Sequence, residues 1–336
     1  MLIIRSVELK DIEGLLELSR LITLINLPNN RQELERKVTT SIKSFVNPSK
    51  DLEKNYYIFI LEDTEINKII GASMIHAKHG TQEEPHFYLK VGREHKLSTS
   101  LNTGFIHGTL KFGMETDGHS EIGGLILNPE YRGHPLKLGK VLSFSRFLYI
   151  AKNLDRFTKF IHSELLPPFD HEGNSPLWEA IGRKFLNMNY HDADKLSRDN
   201  KEFITSLYPI DTIYETLLPV EARDSIGKVG KETEPVRKML ESIGFRYMEE
   251  VDPFDGGPHY RALKEDILPI KMFKEYKVKF RDKSEGDSLY LITVSNPNFS
   301  FYSIPTMAFH KDNILYLNTK LKNLINDQNT VGAILL

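Results

Sequence analysis

The chain has 336 residues, 40% of them hydrophobic and 27% charged, with a formal net charge of -2. That length exceeds what one core usually covers, so two domains or a domain with an extension are expected, and the near-neutral charge gives no reason to expect nucleic acid or an anionic membrane as the main partner. Cysteine is absent, which removes disulfides, zinc-thiolate sites and a cysteinyl intermediate together.

The N-terminal MLIIRSVELKDIEGLL carries charges too early for a secretory leader, and no window approaches the ~20 apolar residues of a membrane span. A cytoplasmic location is the default expectation. Residues 2–7 alternate like a first strand, and Asp11 caps a helix carrying Ile12, Leu15, Leu16 and Leu18. After a loop with Pro28, residues 33–45 predict a second helix and residues 48–55 a polar linker. Residues 56–61 and 68–79 read as two strands joined by a polar hairpin turn. A loop-rich region begins at Val91, and residues 99–118 read as a strand or an irregular wall.

Residues 121–152, EIGGLILNPEYRGHPLKLGKVLSFSRFLYIAK, read as a strand, a basic glycine-containing turn and a long helix. Leu125 and Leu127 end the strand; Arg132, Lys137, Gly139 and Lys140 line the turn. The first N–H groups of a helix have no internal partner and its dipole favours negative charge there, so this is a candidate pyrophosphate site. An ordinary strand-to-helix corner with a solvated basic rim is the alternative at this point.

Residues 157–164 predict a fifth strand, Ser175 and Pro176 open a helix containing Trp178, and residues 201–208 and 213–218 look helical. Residues 234–243 form a helix closed by Gly244, followed by a strand over 245–251. From Ile270 onward, alternating segments predict a small β-rich appendage.

This order of elements, with IIRSVELKDIEGLLEL, IIGASMI and GLILNPEYRG plus Gly139, resembles the GNAT superfamily of acyl-CoA N-acyltransferases. Over roughly residues 1–265 the chain resembles more narrowly the arginine N-succinyltransferase family, on short ordered matches that include Asn26, Leu27 and Pro28, FILED at 59–63, His95, Ser145 to Phe147, Trp178, Arg237 and FDGGP at 254–258. The resemblance implies an α/β (α+β) fold of tandem GNAT-like acyltransferase halves with mixed central sheets and a β-rich C-terminal appendage. The expected division is 1–155 for the acyl-CoA-binding half, 156–268 for the second half and 269–336 for the appendage. It implies transfer of succinyl from succinyl-CoA, as co-substrate, to the α-amino group of L-arginine, in arginine catabolism. No metal, nucleic acid or membrane is expected, and assembly with like or unlike chains stays open.

The chain departs from the family's pattern where chemistry would be done. Gly230 stands where the family carries a histidine assigned as proton donor, Leu166 and Pro167 stand where it carries an arginine and a glycine, and Lys137 replaces the first of two loop glycines. A leucine cannot reproduce a bidentate guanidinium. An amine other than arginine, or a catalytically silent acyl-CoA-binding subunit, therefore stays open.

Acyl transfer needs a neutral amine, an oxyanion donor and a proton for the departing thiolate. Glu121 is the candidate base acting through water, the other reading being a strand-end carboxylate paired with a neighbour. The superfamily's usual tyrosine position holds Leu240, so Tyr214 and Tyr247 are the catalytic candidates for proton donor, beside His134 and His119. Asn26, His95 and Arg237 are candidate substrate-binding residues. HDAD, Asp170 with His171, and GGPHY at His259 lack ligand spacing, so they read as surface loops.

Overall fold

The structure is a computed structural model that describes residues 1–21, 27–197, 200–282, 286–325 and 329–336. The chain begins with β1 (Leu2–Ser6), α1 (Ile12–Leu21), α2 (Arg31–Val46), β2 (Tyr56–Asp63) and β3 (Lys68–His76). Next come β4 (His86–Ser98), β5 (Thr103–Glu115), β6 (Ser120–Leu127), α3 (Leu138–Lys152) and β7 (Phe160–Glu164). Short helices follow as α4 (Pro176–Ala180), α5 (Gly182–Leu186), α6 (Tyr190–Ser197) and α7 (Glu202–Leu207), then β8 (Ile213–Tyr214) and α8 (Val220–Ser225). The chain continues with α9 (Glu234–Ser242), β9 (Arg246–Val251), β10 (Pro258–Leu263) and α10 (Leu268–Lys271). It closes with β11 (Lys274–Arg281), β12 (Ser288–Thr293), β13 (Tyr302–Lys311), β14 (Ile314–Asn318), α11 (Lys322–Ile325) and β15 (Thr330–Leu335). No helix among the described residues is long and apolar enough to cross a membrane.

These elements form two compact units that interleave along the chain: Met1–Lys78, Ser120–Ile161 and Leu263–Leu336 make the first, His79–His119 and His162–Ala262 the second. The consecutive segments 1–155, 156–268 and 269–336 divide the same chain differently, by composition and element order. Pairing between strands far apart in sequence sets the spatial units.

In the first unit the strand order is β12-β15-β11-β14-β13-β1-β2-β3-β6. A further β12–β13 pairing closes the five C-terminal strands into a small barrel, which joins the rest of the sheet where Arg5 stands opposite Tyr302. Helix α2 starts on an Asn30 cap, whose side chain accepts from the Glu33 N–H at 3.1 Å. Its inner face buries Leu34, Val38 and Phe45, and the Ser41 and Ser44 hydroxyls accept from the N–H groups of Ile58 and Tyr56 at 2.8 and 3.0 Å. These bonds fix α2 on the sheet as its apolar stripe is removed from water. Arg5, fully buried, is held by Asp11 at 2.6 and 2.7 Å and by Glu62 at 2.5 Å.

In the second unit the order is β7-β10-β9-β4-β5-β8. The expected loop-rich region after Val91 is instead a long hairpin: β4 and β5 pair without a break from His86 opposite Glu115 to Ser98 opposite Thr103. Residues 213–218 are likewise not helical in the α sense, but a two-residue strand followed by a single 3-10 turn, Glu215–Leu217. The core centres on Trp178, fully buried and stacked on Phe254 at 4.7 Å, with its indole N–H donating to the Met188 carbonyl at 2.9 Å.

Candidate active site

The start of β6 is pinned by Ser120, whose hydroxyl donates to the Ala77 carbonyl at 2.6 Å and whose N–H donates to the Thr158 hydroxyl at 2.7 Å. Glu121 follows, half-buried and opposite His76 on β3. Its negative charge adds to burial in pushing the Tyr56 phenol well up. Three residues on, the pairing slips: β6 takes three steps from Gly123 to Ile126 where β3 takes two from Met74 to Ala72. Gly124 makes this bulge possible, with φ at +54° and a position where any Cβ would lie 2.6 Å from the Met74 sulfur. The bulged segment contains Leu125 and precedes Leu127, both half-buried.

Arg146 of α3 locks the bulge from behind. Its guanidinium donates to the carbonyl of Gly123 at 3.2 Å, to that of Ser143 at 3.1 Å and to the Ser143 hydroxyl at 2.7 Å. Burial alone pulls its pKa down to about 9. The sequence marks Arg146 only as a family match; its hold on Gly123 is a consequence of the fold.

Past β6, the Asn128 side chain accepts from the Glu130 N–H at 3.0 Å and opens a single 3-10 turn, after which Gly133 turns at φ +76°. Lys137 enters α3 in the left-handed conformation with no side-chain cap. A Cβ at Gly133 or Gly139 would meet nothing within 4 Å. Packing therefore does not explain these glycines, and the first turn of α3 faces open space beside them. Arg132 and Lys137 are exposed around it, whereas Lys140 is half-buried with its ammonium 4.9 Å from the Phe144 ring. Burial, and then the charge of Lys137, lower the Lys140 pKa. A helix terminus with these cations is chemically suited to an anionic group such as a pyrophosphate.

The remaining predicted residues are distributed differently. Tyr214 and Tyr247 belong to the second unit, on β8 and β9, which the sheet separates by β5 and β4. The Tyr214 hydroxyl donates to Glu94, while Lys96 stands 5.6 Å from the Tyr214 ring. Burial, and then Glu249, push the Tyr247 phenol up to about 12. His95 is exposed on β4, and Arg237 is engaged by Glu234 at 2.5 Å and Glu241 at 2.9 Å. Asn26 lies outside the described residues.

Gly230 donates its N–H to the Leu166 carbonyl, so two of the family departures are direct neighbours. Nearby in chain order, Asp252 and Asp255 share one turn. Burial, and then Glu164, push Asp252 up to about 7, and burial with Asp252 raises Asp255 well above the usual carboxylate range. Four residues that sequence spacing does not connect also converge in the second unit: His86, His162, His259 and Glu164.

A family model described as arginine N-succinyltransferase beta subunit matches residues 2–268. The arginine N-succinyltransferase of Yersinia pseudotuberculosis is 32% identical over 326 residues, covering 96% of this chain and 91% of the relative. That of Photorhabdus laumondii is 33% identical over 303 residues, covering 89% and 87%. Among solved structures, arginine/ornithine succinyltransferase subunit AI from Pseudomonas aeruginosa matches with a TM-score of 0.86 at 25% identity, covering 100% of this chain and 98% of that one. With a strand bulge, an open helix terminus and likeness along nearly its whole length, the chain belongs to the arginine N-succinyltransferase family of acyltransferases.

Proposed function

We propose that this protein transfers the succinyl group of succinyl-CoA to the α-amino group of L-arginine by direct attack, as a cytoplasmic step of arginine catabolism. The observation that carries the reading is the Gly124 bulge followed by the open first turn of α3 at Gly139. Leu125 and Leu127 would line the acyl-CoA, and Arg132, Lys137, Lys140 and the Gly139 backbone would hold its pyrophosphate. The amine nitrogen attacks the thioester carbonyl, the C–S bond breaks, and CoA leaves as thiolate. The amine's proton passes through water to Glu121. Tyr214 and Tyr247 are the proposed proton donors for the thiolate; the Tyr214 hydroxyl is engaged by Glu94, and burial makes the Tyr247 phenol a weaker acid. Asn26, His95 and Arg237 are the proposed contacts of the amino-acid substrate.

A second reading keeps the acyl-CoA and changes the amine, favoured by Leu166, Pro167 and Gly230 in place of the family's arginine, glycine and histidine. A thiol reagent following CoA release from succinyl-CoA, with arginine, ornithine or other amines offered singly, separates the two. Arginine-dependent release with N-succinylarginine in the mass spectrum is expected. Release only with another amine would replace the first reading by the second, and binding without turnover would leave an acyl-CoA-binding subunit.

A further inference from the structure

His86 opens β4, His162 and Glu164 lie on β7, and His259 lies on β10, all within the second unit. The three imidazoles are 5%, 3% and 0% exposed. Their ring centroids form a triangle of 5.0, 5.0 and 4.9 Å. One oxygen of Glu164, Oε1, stands 3.5 Å from His86 Nδ1, 3.5 Å from His162 Nε2 and 3.9 Å from His259 Nε2.

These separations are long for hydrogen bonds, which close at about 2.7–3.2 Å. They match a different geometry. Four nitrogen or oxygen donors at about 2.1 Å from a tetrahedral centre lie roughly 3.4 Å from one another. All four donor atoms here fall within 4.8 Å of one another. Three neutral imidazoles and one carboxylate are a donor set that suits zinc and its neighbours in the first transition row, and does not suit calcium or magnesium, which take oxygen.

We propose that His86, His162, His259 and Glu164 form a structural site for a divalent transition-metal ion of the zinc class. Four protein donors would complete the ion's coordination and leave no position for water or substrate, so the ion ties β4, β7 and β10 together and takes no part in acyl transfer. The expectation of no metal follows from ligand spacing along the chain. This set is assembled by strand pairing.

The test uses the full chain without a histidine tag. Metal analysis of the purified protein, and titration of chelator-treated protein with Zn²⁺ and Co²⁺ against a competing chelator, should show about one ion per chain, with visible bands of tetrahedral cobalt. Zinc should raise the thermal midpoint of the chelator-treated protein. Glu164→Gln, which keeps size and shape, and His259→Ala should each weaken zinc binding by at least about tenfold. Absence of uptake by folded wild-type protein would overturn the proposal, as would unchanged affinity in Glu164→Gln. Should His259→Ala fail to fold, the wild-type cobalt spectrum and Glu164→Gln decide.

Discussion

Gly230 donates its backbone N–H to the carbonyl of Leu166 at 2.9 Å, and a Cβ placed on Gly230 would lie 3.0 Å from the carbonyl oxygen of Pro167. The residue that replaces the family's histidine and the pair that replaces its arginine and glycine are therefore one contact. Their substitutions are coupled by space.

Restoring the histidine alone should then fail. Gly230→His is expected to destabilise the chain by about 1–3 kcal/mol through crowding against the Pro167 backbone. Adding Pro167→Gly and Leu166→Arg should recover part of that loss. Urea denaturation of the single and triple variants checks it; a single variant as stable as the parent would show that the contact tolerates a side chain.

Gly139→Asp should weaken acyl-CoA binding by about tenfold or more, because it sets a negative charge where the helix terminus would meet a pyrophosphate. Stability should scarcely change, since a Cβ there meets nothing within 4 Å. Calorimetry with succinyl-CoA is the measurement, and equal affinity in the variant would move the acyl-CoA site away from α3.

Arg146→Met keeps much of the buried volume but removes the donors to Gly123 and Ser143. Leaving those carbonyls without their charged partner should cost about 2–4 kcal/mol. If Arg146 holds the bulge in place, the KM for succinyl-CoA should rise as well. A stability loss with unchanged KM would confine Arg146 to packing.

The Asp252 carboxyl, pushed up to about 7 by burial and by Glu164 and Asp194, ionises near its ordinary value of about 3.9 once unfolded. The native state thus holds the extra proton between those values, so this contribution to stability is full below about pH 4 and is lost as pH rises through about 7. Asp252→Asn, whose side-chain oxygen can still accept from the Phe254 and Asp255 N–H groups, should flatten that decline. Denaturation of chelator-treated protein across the window reads it, and parallel curves for parent and variant would exclude Asp252 as the cause.

The strand, turn and helix over residues 121–152 are legible in the sequence because each local signal points the same way: an apolar run stopped by Asn128 and Pro129, then a glycine turn, then helical spacing. The β4–β5 hairpin is not. Residues 99–118 read equally as a strand or an irregular wall, and a Cβ at Gly104, Gly108 or Gly113 would strike Leu97, Glu215 or Tyr88. Glycine there makes room for large side chains of neighbouring elements, a requirement that exists only once the strands are paired. The histidines at 86, 162 and 259 are hidden for the same reason. The proton donor is the converse case, where the sequence shows a family residue missing and its spatial consequence, the Gly230–Leu166 contact, needs the fold.

The pairing of β1 with β13 bears on where this protein can be cut. The family match ends at residue 268, and a chain stopped there would lose the partner that now covers Ile4 and Arg5. An edge strand with unpaired N–H and C=O groups would be left exposed, flanked by apolar side chains, which is a template for association with further chains. The end of the family match at residue 268 is thus not a boundary of folding: the C-terminal strands cover an edge that truncation would open to association.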